Sequence, residues 1–245
     1  QRMLAEHPLL VSGQESHLFS GYLAPMWERW QLESRLQKEG GRTIGLSCYL
    51  TEDELIEEMR RLAKSVFDRL HSSKPDAVQL VEKTPDHGLH LPLINRLFTN
   101  AIVVHVIRDG RDVVASLLHA HQQEWGQAWT PSTGVHAAER WAKWVTTIQE
   151  HLSLFEQNLT VKYEDLVAQG PSELARIFDD LNLSLPSEEV ERIHDRWRFD
   201  EASTQSRDSL HLAGEHASST SCEPTGFYRR GRVGNWREDL TLTDQ

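Results

Sequence analysis

Three stretches of the chain have the hydrophobic pattern of buried strands, and two of them end abruptly in charge. Residues 101–107 form an apolar, β-branched run that is followed directly by Arg108. A second apolar run, residues 77–82, is followed by Lys83, and a shorter one covers residues 159–163. Apolar runs of this length without strict alternation are typical of strands that are covered on both faces. We therefore expect these segments to lie in a parallel sheet.

Helical periodicity fills most of the sequence between and around these strands. The helix predicted between the first two strands completes a strand–helix–strand unit, which favours an α/β fold with parallel strands. Thr51 and Glu54 have the spacing of a capping box that opens a further amphipathic helix. Residues 200–225 are rich in Ser, Thr, His and Gly without periodicity and predict a mobile loop. Besides the helix that begins at the capping box, the predicted helices cover residues 22–38, 86–98 (the helix between the two strands), 111–121, 135–156, 171–182 and 187–197.

The charged turn after strand 101–107 is the first candidate for a binding site. In open α/β sheets ligands bind at the carboxyl ends of the strands. An arginine fork, backbone N–H groups and a helix start favour an anion there, so Arg108 and Ser116 are candidates to contact one phosphate. Lys83, at the end of a neighbouring strand, would face the same ligand. The alternative is a solvated ion pair at a strand end, which contributes little.

A second basic segment, residues 227–237, lies near the end of the chain. It contains four arginines and two glycines in an otherwise acidic protein. Guanidinium forks combined with a flexible backbone suit phosphate binding. A basic surface tail is the alternative that this composition leaves open.

Composition narrows the function classes. The 245 residues are enough for a single domain, 1–245, and the net charge of −11 disfavours a nucleic-acid binder. Cys48 and Cys222 have neither disulfide nor metal-ligand spacing, and no apolar stretch is long enough to span a membrane. We therefore expect no bound metal and a cytoplasmic location, with a lumenal location as the alternative.

The sequence IRDGRDVVAS closely resembles the 3′-phosphate-binding stretch of sulfotransferases that use 3′-phosphoadenosine 5′-phosphosulfate (PAPS). This resemblance implies that Arg108 and Ser116 bind the 3′-phosphate of the donor. RRGRVGNWREDLT resembles the C-terminal motif of the same family, which implies that Arg229, Arg230 and Gly231 close over that phosphate.

Three further resemblances imply adenine contact and catalytic roles. The sequence YEDL resembles a family segment whose tyrosine packs near the adenine, which makes Tyr163 a cofactor-binding candidate. EKTPDHGLHLPLINRLF resembles the bacterial sulfotransferase pattern, which implies that Lys83 donates to the bridging oxygen of the leaving group. RMLAEHPLLVSGQES resembles a stretch of tyrosylprotein sulfotransferases and their bacterial relatives that places Glu15 as the catalytic base. Pro85 stands where the small-molecule enzymes carry a catalytic histidine, so His87 is the reserve candidate.

The resemblance implies a three-layer P-loop-like fold in which helices flank a central parallel sheet. It also implies transfer of a sulfuryl group from PAPS to a hydroxyl acceptor, an alcohol or phenol on a small molecule, sugar or peptide, with release of 3′-phosphoadenosine 5′-phosphate (PAP). The family's first strand and 5′-phosphosulfate loop are expected before Gln1. The alternative is a non-catalytic PAP-binding protein that lacks this loop. An ATP-dependent kinase is disfavoured because no residue pattern would hold magnesium and a triphosphate.

Overall fold

The computed structural model describes residues 1–198, 227 and 230–241. Its strands are paired in parallel, β1 (Leu10–Ser12) with β2 (Gln79–Val81) and β3 (Val103–Ile107) with β4 (Asn158–Lys162). Within the described residues these strands form two separate two-stranded sheets rather than one continuous sheet. Parallel strands combined with flanking helices confirm the predicted α/β character.

The two sheets share one hydrophobic cluster, which explains how such short strands remain in place. Leu10, Val81, Val104 and Val161, one residue from each strand, belong to this cluster. Phe178 of a covering helix is fully buried against them. Burial of apolar side chains contributes about 25 cal/mol per Å², so this shared cluster stabilises both sheets together.

Ten α-helices surround the strands in the described part of the chain. Tyr163, predicted as the end of a strand, is instead the first residue of a helix. The predicted helix 86–98 begins as the 3₁₀ segment Pro85–His90, and a π-helical turn, Leu18–Leu23, precedes the second helix. The helices are α1 (Arg2–Ala5), α2 (Ala24–Gly40), α3 (Glu52–His71), α4 (Leu91–Leu97), α5 (Gly110–His121), α6 (Gly134–His151), α7 (Tyr163–Gln169), α8 (Pro171–Asp180), α9 (Ser187–Arg196) and α10 (Trp236–Asp239).

Local sequence signals place the helix starts that matter for the site. Asp109 caps α5, because its side chain accepts a hydrogen bond from the backbone N–H of Arg111 at 2.9 Å. The predicted capping box of Thr51 and Glu54 is confirmed at the start of α3. The cap at Asp109 ends β3 sharply and turns the chain into α5 directly after Arg108.

Three further sequence-based expectations concern membrane-spanning helices, bound metal ions and the loop at residues 200–225. No helix in the described ranges is long and apolar enough to cross a membrane. Among those same residues, no three His, Cys, Asp or Glu side chains are grouped so as to hold a metal ion. The loop predicted at residues 200–225 lies outside the described residues.

Candidate functional site

Glu15 and Lys83 form an ion pair at the carboxyl ends of β1 and β2. The Lys83 ammonium donates to Glu15 Oε1, and the two side chains are 45% and 39% exposed, respectively. Parallel pairing of β1 with β2 brings the two residues together, although they are 68 positions apart in the sequence. His17 adds a second basic group, with its Nε2 3.7 Å from Glu15 Oε2. The structure therefore brings the two predicted catalytic residues into direct contact.

Glu82 fixes the backbone next to this pair, and sequence reasoning missed it. Its Oε1 accepts from the backbone N–H of Ser16 at 3.2 Å and from the Ser16 hydroxyl at 2.7 Å. The Thr84 hydroxyl donates to the same oxygen at 2.9 Å. Burial alone would raise the pKa of Glu82, but hydrogen bonds from His87 and Ser16 outweigh it and lower the pKa. An ionised carboxylate thus holds the residue that follows Glu15.

His87 is buried, and both of its ring nitrogens are used. Its Nε2 accepts from the backbone N–H of Phe19 at 3.2 Å, and its Nδ1 lies 2.8 Å from Glu82 Oε2. Because Nε2 accepts a hydrogen bond, the ring proton resides on Nδ1 and is donated to Glu82. The lone pair that a base needs is therefore already engaged. This arrangement favours Glu15 over His87 as the base.

Arg108 and Tyr163 form the second part of the site. In the parallel pair of β3 and β4, Ile107 is opposite Lys162, so the residues that follow them are neighbours. The Arg108 guanidinium carbon lies 4.6 Å from the centroid of the Tyr163 ring. Its buried Nε has no hydrogen-bond partner among the described residues. The Trp141 indole donates to the Arg108 carbonyl at 3.2 Å and fixes the backbone at the strand end.

Residues 230–241, which we call the C-terminal strap, pass over these two side chains. Arg108 Nη2 donates to the carbonyl of Arg232 at 3.0 Å. The Tyr163 hydroxyl donates to the carbonyl of Gly231 at 3.1 Å. Burial raises the pKa of the Tyr163 phenol, which keeps this donor protonated well into the alkaline range. The predicted middle and C-terminal parts of the phosphate site therefore meet.

Asp112 anchors the strap, and it too was absent from the sequence-based candidates. Its side chain is fully buried, with Oδ2 2.7 Å from the donating backbone N of Gly234 and Oδ1 3.0 Å from that of Trp236. Oδ2 also lies 3.6 Å from Arg108 Nη2. The available signal was its spacing: Asp112 is four residues before Ser116 on α5, which places both on one side of that helix, and four residues after Arg108.

Of the other residues predicted to bind the phosphate together with Arg108, two are described with side chains that do not contact Arg108. Ser116 is exposed on α5, one turn beyond Asp112, and is not among the described contacts of Arg108. Arg230 pairs instead with Glu238 of α10, with its Nη1 2.7 Å from Oε2. Arg229 lies outside the described residues. The strap thus approaches Arg108 through its backbone, whereas the Arg230 side chain turns away.

Comparisons with known proteins agree on one family. The family model described as "Sulfotransferase family" matches residues 1–187. Sulfotransferase 1A1 of Bos taurus is 26% identical over 184 residues, which are 69% of this chain and 61% of the bovine protein. The chain therefore spans about three fifths of the length of this curated relative.

Solved structures provide a comparison of the fold. The crystal structure of mouse sulfotransferase SULT7A1 complexed with PAP is 15% identical, with a TM-score of 0.52, and covers 99% of this chain and 84% of its own. The sulfotransferase domain from the curacin biosynthetic pathway is 20% identical, with a TM-score of 0.49, and covers 75% of this chain and 69% of its own. The similarity to the mouse structure indicates a common fold.

Proposed function

This chain belongs to the sulfotransferase family, and from that premise we propose that it transfers a sulfuryl group from PAPS to a hydroxyl acceptor and releases PAP. The observation that carries the proposal is the meeting of Arg108, Tyr163 and the C-terminal strap at the carboxyl end of β3. A cation, an aromatic face and a glycine-containing segment at one strand end suit a phosphorylated nucleotide.

Arg108 is the proposed ligand of the 3′-phosphate. Its guanidinium is oriented by the Tyr163 ring, and its Nη2 already donates to a carbonyl oxygen of the strap. A phosphate oxygen is a stronger acceptor than a neutral carbonyl, and the guanidinium fork can bind it through two N–H groups. Ser116, Arg229, Arg230 and Gly231 are proposed to complete this phosphate site.

Tyr163 is the proposed contact for the adenine. Its ring already packs against a planar guanidinium, and a neighbouring base would extend the same stack. Its hydroxyl meanwhile holds the strap through Gly231. One side chain would thus orient the nucleotide and keep the strap next to it.

Glu15 and Lys83 are the proposed catalytic residues. In the reaction the acceptor oxygen forms a bond to sulfur while the bond from sulfur to the bridging phosphate oxygen breaks. Glu15 takes the proton of the acceptor hydroxyl, and the Lys83 ammonium stabilises the negative charge that develops on the bridging oxygen. The two groups pair with each other before substrates bind, so the donor must draw Lys83 away to free the Glu15 carboxylate.

The acceptor is proposed to be an alcohol or phenol without a high negative charge. The net charge of −11 opposes a polyanionic acceptor at long range. The second candidate function is PAP binding without transfer. It is favoured if Arg108 holds the nucleotide while the pair of Glu15 and Lys83 stays closed.

Calorimetric titration with PAP and with adenosine 5′-phosphate tests the proposal, because the two ligands differ only in the 3′-phosphate. We expect PAP to bind at least about tenfold more tightly, since charge-assisted hydrogen bonds to Arg108 depend on that group. Equal affinities would contradict the phosphate assignment. Transfer of labelled sulfuryl from PAPS to a panel of phenols, alcohols, sugars and peptides separates the two functions, and PAP binding without any transfer supports the second.

A further inference from the structure

We propose that Asp112 is a positioning residue whose carboxylate latches the C-terminal strap over the nucleotide site, an inference that rests on the proposed function. The latch consists of two hydrogen bonds that start from one carboxylate. Oδ2 accepts from the backbone N–H of Gly234 at 2.7 Å and Oδ1 from that of Trp236 at 3.0 Å. One side chain of α5 thereby fixes two backbone positions of the strap.

The burial of Asp112 makes these bonds strong. Its side chain has no solvent exposure, and a buried charge is tolerated only when hydrogen bonds and opposite charge compensate it. The two strap N–H groups and the Arg108 guanidinium, 3.6 Å away, supply that compensation. Of its partners among the described residues, release of the strap would leave the carboxylate with Arg108 alone. The strap is therefore held by the cost of breaking a buried network.

The backbone of the strap is shaped for this contact. Gly234 has a φ of +82°, a left-handed conformation that favours glycine. With Gly234 in this conformation, the backbone N–H groups of Gly234 and Trp236 both point to the Asp112 carboxylate. The Trp236 ring in addition packs against α5, with the Arg111 guanidinium 4.1 Å from its centroid.

The latch differs in kind from the two hydrogen bonds that Arg108 and Tyr163 donate to the strap. Arg108 and Tyr163 donate to strap carbonyls, and a phosphate would compete for the Arg108 donor. Asp112 accepts from the backbone N–H groups of Gly234 and Trp236, so an anion that binds Arg108 does not take those two donors, although it shares the Arg108 guanidinium with Asp112. When the phosphate takes the Nη2 donor from the Arg232 carbonyl, the Asp112 bonds keep the strap in position. Asp112 therefore holds residues 234–236 of the strap over a bound nucleotide, next to the apolar packing of Leu240 against α5.

Asp112→Asn tests the latch with little change of shape. The asparagine amide has a single acceptor oxygen, so one strap N–H loses its partner and faces an amide donor. We expect PAP to bind about tenfold more weakly, with the change mainly in a faster dissociation rate. Asp53→Asn is the matched control, because Asp53 lies in the first turn of α3 with its side chain 99% exposed. It should leave PAP binding and dissociation unchanged.

Amide hydrogen exchange on the wild-type protein tests the latch without any variant. The amides of Gly234 and Trp236 should be protected in the absence of PAP, and their protection should fall in Asp112→Asn. Exchange at the unprotected rate in the wild type would overturn the latch even if the variant does not fold.

The affinity measurement separates the latch from a purely electrostatic role. Asp112 is negative and lies beside the proposed phosphate ligand, so removal of its charge alone would strengthen binding of an anion. Tighter or unchanged PAP binding by Asp112→Asn would therefore overturn the latch. If the wild type does not bind PAP, the proposed function fails together with the role of the latch in nucleotide binding. If PAP binds while the strap amides are unprotected, the latch alone is wrong.

Discussion

Glu15 and Lys83 lie close to half exposed at the ends of β1 and β2, whereas Arg108 lies at the end of β3 with its side chain 25% exposed beneath the strap. Arg108 contacts an aromatic ring, a strap carbonyl and a buried carboxylate. Glu15 and Lys83 mainly contact each other, and the backbone beside Glu15 is held by Glu82. The contacts of Arg108 are preorganised for binding, whereas the pair of Glu15 and Lys83 can open when a substrate draws the two side chains apart.

This difference follows from the chemistry that each side would perform. A phosphate that only binds is served by donors that hold one geometry. A base and a cation that act on opposite partners in the transition state must separate from each other first. Substitutions at Glu15 should therefore change turnover, whereas substitutions at Arg108 should change nucleotide affinity. Four predictions test this separation, from the largest expected effect to the smallest.

Glu15→Ala should lower the turnover number by about 10²–10⁴-fold, because it removes the proposed general base. PAP affinity should remain within about twofold of the wild type, since the described contacts of Arg108 do not include Glu15. Labelled sulfuryl transfer and calorimetry measure the two quantities. Glu124→Ala, at an exposed position, is the control. Full turnover by the Glu15 variant would remove the base role from this residue.

Arg108→Ala should weaken PAP binding by about 10–100-fold, as expected for the loss of charge-assisted hydrogen bonds. Binding of adenosine 5′-phosphate should change much less, because that ligand lacks the 3′-phosphate. Arg61→Ala is a matched control on the exposed face of α3. A parallel loss for both ligands would mean that Arg108 acts on the fold rather than on the phosphate.

Glu82→Gln should lower the free energy of unfolding at pH 7 by about 1–3 kcal/mol, since Ser16, Thr84 and His87 lose a charged partner. The pKa of Glu82 is lowered in the folded state, so its stabilisation is present above the ordinary carboxyl pKa of 4.5 and is lost as pH falls through the folded value. Urea unfolding between pH 3 and 7 should show a flatter acid limb for the variant.

The control for this measurement is Glu139→Gln, at an exposed position of α6. It should retain the acid limb of the wild type. An unchanged limb in Glu82→Gln would contradict the assigned network. PAP affinity of the Glu82 variant at neutral pH should match the wild type, because the network supports the Glu15 side of the site.

The sequence predicted the strand ends of the site better than the contacts between distant segments. Lys83 and Arg108 were identified because an apolar run that ends in charge is visible locally, and the parallel pairing places both at carboxyl ends. β1 was not predicted, since three apolar residues before a turn are too few to indicate a strand. The family resemblance supplied Glu15, whose contact with Lys83 spans 68 positions.

Asp112 shows why the rest could not be predicted. An acidic residue in the first turn of a helix is ordinarily explained by the helix dipole. Its actual partners, Gly234 and Trp236, are 122 and 124 positions away, and no local pattern connects them. Arg230 is predicted to bind the phosphate, and in the structure it pairs with Glu238, eight positions further along the chain. Which partner a flexible side chain takes depends on the tertiary neighbours.

Tyr163→Phe has the smallest expected effect and tests the strap alone. The variant keeps the ring beneath Arg108 and removes only the hydroxyl that donates to Gly231. A neutral hydrogen bond contributes about 0.5–1.5 kcal/mol, so PAP affinity should fall by about 2–10-fold, with turnover at saturating PAPS close to the wild type. Tyr22→Phe, an exposed tyrosine 64% accessible, is the control. A loss of turnover without a loss of affinity would place Tyr163 with the catalytic pair rather than with the strap.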